Sequence, residues 1–217
     1  MSSNPFFESL LVDQQVQKLV QKLVNAHQKQ QVFPELKNTF RAFELTNLDK
    51  VKVVIFGQDP YYQPGVADGL AFSSLQTNTP ASLKNIFLAL KNQYPNIILE
   101  TNDLSTWAKQ GVLLLNTALS VVAYQPNSHS DFGWFYVIEK AINYINQLNH
   151  QVVFCLWGKQ AQKLKNLIST KHKVLTSSHP SPLSAHYGFL TSNHFLLINQ
   201  FLVQNQVEPI DWNLQKK

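Results

Sequence analysis

Two kinds of hydrophobic spacing alternate along the chain. In five segments the apolar residues recur every three or four positions, which is the spacing of a helix with one buried face. Those segments are 13–29, 80–93, 134–148, 159–169 and 193–204. Short apolar runs typical of buried strands lie at 51–56, 112–115, 152–157 and 173–176. This order predicts an α/β fold: a single domain over residues 1–217, with a central four-stranded, mostly parallel sheet flanked by helices.

Polar residues follow the predicted strands at the points where they end. The first strand runs into Gln58 and Asp59, the second ends at Asn116, the third at Lys159, and the fourth runs into the loop that holds His179. The carboxyl ends of parallel strands meet at one edge of a sheet, where open α/β folds bind their ligands. We therefore expect Asp59, Asn116 and His179 to share a pocket.

Composition predicts a folded domain and is compatible with a nucleic-acid partner. The chain is 44% hydrophobic and only 14% charged, which supports a sizeable core and argues against disorder. A net charge of +5, with seven tyrosines, four tryptophans and fourteen phenylalanines, suits nucleic-acid binding. Ordinary compositional bias gives the same numbers, so this signal alone does not decide.

The cysteine count and the hydropathy of the chain predict which sites it lacks and in which cellular compartment it is found. The only cysteine, Cys155, excludes an intramolecular disulfide or a four-cysteine metal site, and its apolar surroundings predict that it fills the core. We see no signal peptide and no apolar run of the roughly 20 residues that a membrane span needs. We expect a cytoplasmic protein, or a nuclear one if the host has a nucleus, without membrane attachment.

Several motifs, in order, resemble those of the family 1 uracil-DNA glycosylases. They are Gly57-Gln58-Asp59-Pro60-Tyr61 with Gly69-Leu70-Ala71-Phe72-Ser73, Leu113-Leu114-Leu115-Asn116-Thr117, and His179-Pro180-Ser181-Pro182-Leu183-Ser184-Ala185-His186. Weaker matches are Ser128-His129 with Gly133-Trp134, and Pro209-Ile210-Asp211-Trp212. The family-like core covers about 32–212. The resemblance implies a monomeric hydrolase of N-glycosyl bonds that acts on uracil in single- and double-stranded DNA. It implies the first step of base excision repair, without lyase activity, metal or cofactor, and with an acidic, DNA-mimicking inhibitor protein as a further partner.

The resemblance also assigns roles to residues. Asp59 stabilises the sugar cation and orients or deprotonates the attacking water, and His179 donates a hydrogen bond to uracil O2. Asn116 reads the uracil edge with its amide. Three further residues complete the uracil site: Phe72 stacks on the ring, Tyr61 excludes the thymine methyl group, and Gln58 supplies backbone hydrogen bonds.

Other residues are assigned to DNA. Leu183 matches the wedge that fills the space left by the flipped nucleotide. Ser82, Ser181 and Ser73 are candidates for phosphate contacts, as is His129. The sequence departs from the family pattern where Tyr62 replaces a histidine, Tyr187 an arginine, and Lys159 with Gln160 a Ser-His pair. Lys159 returns a positive charge to a DNA-facing loop.

Each of these residues also has an ordinary structural explanation. Asp59 can cap a turn, Asn116 can cap a helix, His179 can bond to backbone, and Phe72 can be part of the core. Two other classes of function stay open at this point. One is a nucleic-acid-binding module without activity. The other is a nucleotide or phosphate-ester enzyme, which would need a glycine-rich loop or several carboxylates for Mg²⁺.

Overall fold

The computed structural model describes residues 4–216. Within this range the α-helices are α1 (Pro5–Val12), α2 (Gln14–Lys29), α3 (Arg41–Leu45), α4 (Ala81–Gln93), α5 (Ser105–Lys109), α6 (Phe135–Gln147), α7 (Lys159–Gln162) and α8 (His194–Gln204). The strands are β1 (Val32–Phe33), β2 (Val53–Gly57), β3 (Val112–Asn116), β4 (Val121–Val122), β5 (Val153–Trp157) and β6 (Lys173–Ser177). Short 3-10 helices cover Leu36–Asn38, Leu48–Lys50, Lys163–Leu167 and Ala185–Tyr187.

The predicted sheet is confirmed. Its four strands are parallel and lie in the order β3-β2-β5-β6, with helices around them. Every residue of β2, β3 and β5 is buried, which explains why these strands are continuous apolar runs without alternation. The pair β1 and β4 forms a second, antiparallel sheet of two residues per strand, too short to show a pattern in the sequence.

The amphipathic segment near the amino terminus is helical as predicted. Asp13 caps α2 by accepting hydrogen bonds from the backbone N–H groups of Gln15 and Val16 at 2.9 and 3.0 Å. Val16, Leu19 and Leu23 form the buried face of the helix. Asp13 therefore fixes the start of α2 and, with it, the face that packs on the core.

Other element boundaries differ from the sequence prediction. The segment predicted as one helix over 159–169 is the four-residue α7 followed by the 3-10 helix Lys163–Leu167. Helices α1, α3 and α5 were not predicted, because five to eight residues are too few to establish a helical period.

The core lies on both faces of the sheet. Trp107, Trp134 and Trp157 are its largest buried side chains. Cys155 is fully buried as predicted, and burial raises the pKa of its thiol. Among residues 4–216, no helix is both long enough and apolar enough to cross a membrane.

Candidate active site at the carboxyl edge of the sheet

Loops from three strands of the sheet enclose a cavity of about 140 Å³. Its volume is below the roughly 300–1,000 Å³ of pockets for drug-sized ligands, which suits one small ring. The cavity is lined by Gln58, Asp59, Pro60, Tyr61, Tyr62, Ala67, Leu70, Phe72, Ser82, Asn116 and His179. The predicted convergence of Asp59, Asn116 and His179 is thus present.

Asn116 reaches the cavity because its neighbour in the sheet is a glycine. Gly57 pairs with Asn116 across β2 and β3, and a Cβ atom on Gly57 would lie 2.1 Å from Oδ1 of Asn116. The side chain of Asn116 is 7% exposed and has no hydrogen-bond partner within residues 4–216. The side chain lines the cavity, so its donor and acceptor are open to a ligand there.

The loop after β2 holds Asp59 through a residue far along the chain. The backbone N–H of Asn127 donates to Oδ2 of Asp59 at 2.8 Å, and the Asn127 side-chain oxygen accepts from the amide of Gln58. Burial raises the pKa of Asp59, and the Asn127 N–H opposes that rise by stabilising the charged form. Asn127 was missed in the sequence, although Pro126-Asn127 is a turn signal and the residue has φ +64.

His179 lies at the end of β6 with a defined ring orientation. Its Nδ1 accepts the backbone N–H of Ser181 at 3.0 Å, so the neutral ring carries its proton on Nε2. Burial lowers the pKa of His179, which favours this neutral form. Gly158 makes room for the side chain, since a Cβ atom there would lie 2.9 Å from the His179 Cβ, and φ of Gly158 is +87.

Phe72 forms one wall of the cavity. Its ring centre lies 5.7 Å from the ring centres of both Trp157 and His179. The hydroxyl of Tyr61 donates to the Phe72 carbonyl at 3.0 Å. Phe72 has φ +66, an uncommon backbone conformation for an aromatic residue, so the loop must be held by its neighbours.

A buried polar network holds the Phe72 loop. Asp68 accepts from the Ser73 hydroxyl at 2.6 Å, from the Leu70 N–H at 3.0 Å, and from Arg41 at 2.7 Å. The expectation that Ser73 contacts DNA phosphate conflicts with this position, because Ser73 is fully buried and its hydroxyl is used. Sequence reasoning missed Arg41 and Asp68, which lie 27 residues apart.

The remaining predicted DNA contacts differ in exposure. Leu183 is 86% exposed on the loop that follows His179, and Lys159 is exposed at the start of α7. Ser82 and Ser181 are partly buried, and the Ser181 hydroxyl bonds to that of Ser184 at 2.9 Å. The Asn85 amide donates to the Pro180 carbonyl at 2.8 Å, which ties α4 to this loop.

His129 does not lie on the surface. It is buried, its Nδ1 is bonded to the Ser120 hydroxyl at 2.7 Å, and its ring packs on Phe132 with centres 4.3 Å apart. Trp134 donates to the same hydroxyl at 2.8 Å, so Ser120 joins His129 and Trp134 in one buried network. This burial argues against the predicted contact of His129 with the DNA backbone.

The residues available at this edge do not resemble a metal site. Within the described part of the chain, no group of three or more His, Cys, Asp and Glu side chains lies close enough to hold a metal ion. The cavity itself combines one carboxylate, one imidazole and one free amide with aromatic walls. Such a set can bind a flat polar ring and stabilise opposite charges on its two sides.

Comparisons with known proteins agree with this chemistry. Residues 43–203 match the family model described as the Uracil DNA glycosylase superfamily. A uracil-DNA glycosylase of Ureaplasma parvum is 50% identical over 197 residues, which cover 89% of this chain and 92% of that protein. One of Mesomycoplasma hyopneumoniae is 46% identical over 219 residues, covering 99% and 100%.

Solved structures extend the likeness to three dimensions. The crystal structure of mimivirus uracil-DNA glycosylase superposes with a TM-score of 0.85 at 29% identity, covering 96% of this chain and 85% of that one. A mimivirus UNG variant solved in complex with UGI gives a TM-score of 0.87 at 29% identity, covering 96% and 86%. All residues that line the cavity fall within the segment that the family model matches.

Proposed function

The chain belongs to the uracil DNA glycosylase superfamily, and from this premise we propose that Asp59, Asn116 and His179 excise uracil from DNA. The reaction hydrolyses the bond between uracil and deoxyribose and leaves an abasic site. The observation that carries the residue assignment is the buried, unpartnered amide of Asn116 in one cavity with Asp59 and His179. A bound base would supply hydrogen-bond partners for that amide.

The reaction separates charge, and the site offers a partner for each charge. When the bond between C1′ of the sugar and N1 of uracil breaks, the sugar becomes cationic and uracil leaves as an anion. The carboxylate of Asp59 stabilises the cation and accepts a proton from the water that attacks C1′. The Nε2–H of His179 donates to O2 of the departing uracil. The raised pKa of Asp59 makes it a stronger base than an ordinary aspartate.

Base selection rests on the cavity walls. The Asn116 amide donates to O4 and accepts from N3–H, a pattern that cytosine reverses, so cytosine would leave buried polar groups unpaired. Tyr61 is fixed by its bond to the Phe72 carbonyl and stands where the methyl group of thymine would go. Phe72 stacks on the ring. Gln58 contributes its backbone, while its side chain is bonded to Asn127.

DNA contacts surround the mouth of the cavity. Leu183 fills the space that the flipped nucleotide leaves in a duplex. Ser82, Ser181 and Lys159 contact phosphates, with Lys159 supplying a charge. We assign His129 an indirect role, through the loop that holds Asp59, and no phosphate contact.

Finer features of the activity are also proposed. The enzyme is a member of family 1 that acts on single- and double-stranded DNA, as a cytoplasmic monomer, in the first step of base excision repair. It needs no metal or cofactor. It cleaves no DNA strand, since no lysine is among the residues that line the cavity to form a Schiff base with the sugar. An acidic, DNA-mimicking protein inhibits it, an assignment supported by the mimivirus UNG complex with UGI.

One labelled oligonucleotide tests the activity. It carries a single deoxyuridine, a thymine control replaces that base in a second oligonucleotide, and EDTA is present. Strand cleavage at uracil only, and only after alkali, is the expected result. Cleavage without alkali contradicts the absence of lyase activity. Tight binding without base release favours a binding protein that lacks activity.

A further inference from the structure

A second cavity shares a wall with the uracil cavity. This flanking crevice, of about 520 Å³, is lined by Gln58, Asp59, Thr117, Ala118, Asn127, Ser130, Asp131, Phe135, Gln160, Lys163 and Leu164. Gln58 and Asp59 line both cavities. Because Asp59 lies under the sugar of the uracil nucleotide in the proposed mechanism, the crevice adjoins the position of that sugar.

The crevice contains a half-exposed aromatic ring. Phe135, the first residue of α6, is 52% exposed, whereas Leu164 and Ala118 beside it are buried and form an apolar floor. A half-exposed phenylalanine in a concave site offers one face to a ligand. Sequence-tolerant proteins that bind single-stranded DNA use such rings as stacking platforms for bases.

The charges of the crevice indicate which part of a nucleotide enters it. Asp131 and Asp59 both contribute carboxylates, which would repel a phosphate. Lys163 is exposed on the same wall and makes no ion pair within residues 4–216, and Lys159 is exposed nearby at the start of α7. A neutral base therefore suits this crevice better than a phosphate, and the phosphate of the same nucleotide would contact Lys163 or Lys159.

We propose that the flanking crevice is a second nucleotide subsite, in which Phe135 stacks on the base next to uracil in single-stranded DNA. The inference rests on the proposed uracil excision, because that reaction places the sugar over Asp59. It adds a base-binding site that reads no sequence, since every base presents an aromatic face. A duplex keeps this neighbouring base stacked in the helix, so the subsite acts on single strands.

Short single-stranded oligonucleotides test the subsite. Each carries one central deoxyuridine, and in two of them the base on the 5′ or the 3′ side is replaced by hydrogen while the phosphate stays. For the unaltered protein we expect removal of the base on one side to lower kcat/KM about 5-fold or more. Phe135→Ala should abolish that difference, and Phe135→Trp should keep it. The unaltered protein and Phe135→Ala, each measured with and without the flanking base, give four rates. These rates form a double-mutant cycle that separates the stacking contact from any general loss of activity.

Lys163→Gln provides an independent measurement. It should lower kcat/KM for all three oligonucleotides by the same factor and reduce the slope of log kcat/KM against log salt by about 0.7, the value for one phosphate contact on a single strand. An unchanged slope contradicts the phosphate position. Equal rates with and without the flanking base on both sides, or a difference that persists in Phe135→Ala, overturn the subsite.

The two proposals fail in different ways. If no oligonucleotide releases uracil, the proposed function is wrong. Fluorescence anisotropy with the same oligonucleotides and variants then decides for or against the crevice. Loss of the base-dependent affinity in Phe135→Ala supports the subsite, and its persistence overturns it.

Discussion

The backbone N–H of Ser181 donates a 3.0 Å hydrogen bond to Nδ1 of His179. Nδ1 must therefore hold a lone pair, and the proton of the neutral ring lies on Nε2. Burial lowers the pKa of His179 and raises that of Asp59 in the same cavity. The site thus pairs a neutral hydrogen-bond donor with a carboxylate that is more basic than usual.

This pairing predicts how activity depends on pH. Activity requires charged Asp59 and neutral His179. Protonation of either group therefore lowers activity in acid, and neither group lowers it in alkali. Because the pKa of Asp59 lies above its ordinary 3.8, kcat/KM should begin to fall at a higher pH than an ordinary aspartate would set. The pH profile of kcat/KM on uracil-DNA measures this. His179→Gln is the control, since only the fall in kcat/KM caused by protonation of Asp59 should remain. A value of kcat/KM that stays constant down to a pH near 3.8 contradicts the argument.

Removing the charge of Asp59 should abolish most of the turnover. In Asp59→Asn the shape and the Asn127 contact are largely kept, while the sugar cation loses its counter-charge. We expect kcat to fall by orders of magnitude with DNA affinity little changed, measured by single-turnover kinetics and anisotropy. Glu44→Gln, at an exposed carboxylate on α3 that lines neither cavity, is the matched control and should stay near the original rate. Near-normal turnover of Asp59→Asn would remove its catalytic role.

Changing the amide of Asn116 should change the base that is excised. A protonated carboxyl in Asn116→Asp can accept from the cytosine amino group and donate to N3, which the fixed amide cannot do. We expect measurable release of cytosine, increasing as the pH is lowered, and slower release of uracil. Chromatography of the released bases is the measurement. Absence of cytosine release at every pH tested counts against reading by this side chain.

Shortening the exposed Leu183 should affect duplex substrates more than single strands. Unstacking a base from a duplex costs a few kcal/mol, and a single strand avoids most of that cost. Leu183→Ala should therefore reduce kcat/KM several-fold more on double-stranded than on single-stranded uracil-DNA. Leu11→Ala, an exposed leucine on α1, serves as the control and should change neither. Equal losses on both substrates would falsify the wedge role.

Asp13 should make stability depend on pH. It caps α2 and pairs with Lys140 at 2.7 Å, and these contacts lower its pKa from 3.8 to about 2. A carboxyl whose pKa is lower in the folded protein stabilises it above the unfolded pKa. That contribution is lost as the pH falls from about 3.8 to about 2.

Two variants separate the cap from the ion pair. Asp13→Asn keeps a capping side chain and loses the charge, whereas Asp13→Ala loses both. At neutral pH we expect Asp13→Ala to cost about 1 kcal/mol more of the free energy of unfolding than Asp13→Asn. Urea unfolding at neutral and acidic pH measures both effects. Equal stabilities of the two variants would show that the cap contributes nothing.

The hydrophobic pattern predicted the sheet and most long helices, and it predicted that Asp59, Asn116 and His179 would meet at one edge of the sheet. Buried parallel strands appear in a sequence as continuous apolar runs. The turns at their carboxyl ends lie at one edge of the sheet, because all the strands run in the same direction. The meeting of Asp59, Asn116 and His179 followed from that rule. The high exposure of Leu183, 86%, also agrees with its local sequence, because the residue lies between Pro182 and Ser184 in a loop.

The contacts that hold these residues, and the surfaces beside them, became visible only in the folded structure. Asn127 reaches Asp59 across 68 positions, and Arg41 reaches Asp68 across 27. Both contacts involve loops, where no hydrophobic period records which residues meet. The burial of His129 and Ser73, and the crevice next to Asp59, have the same origin. They depend on how loops pack against one another, which local propensity does not specify.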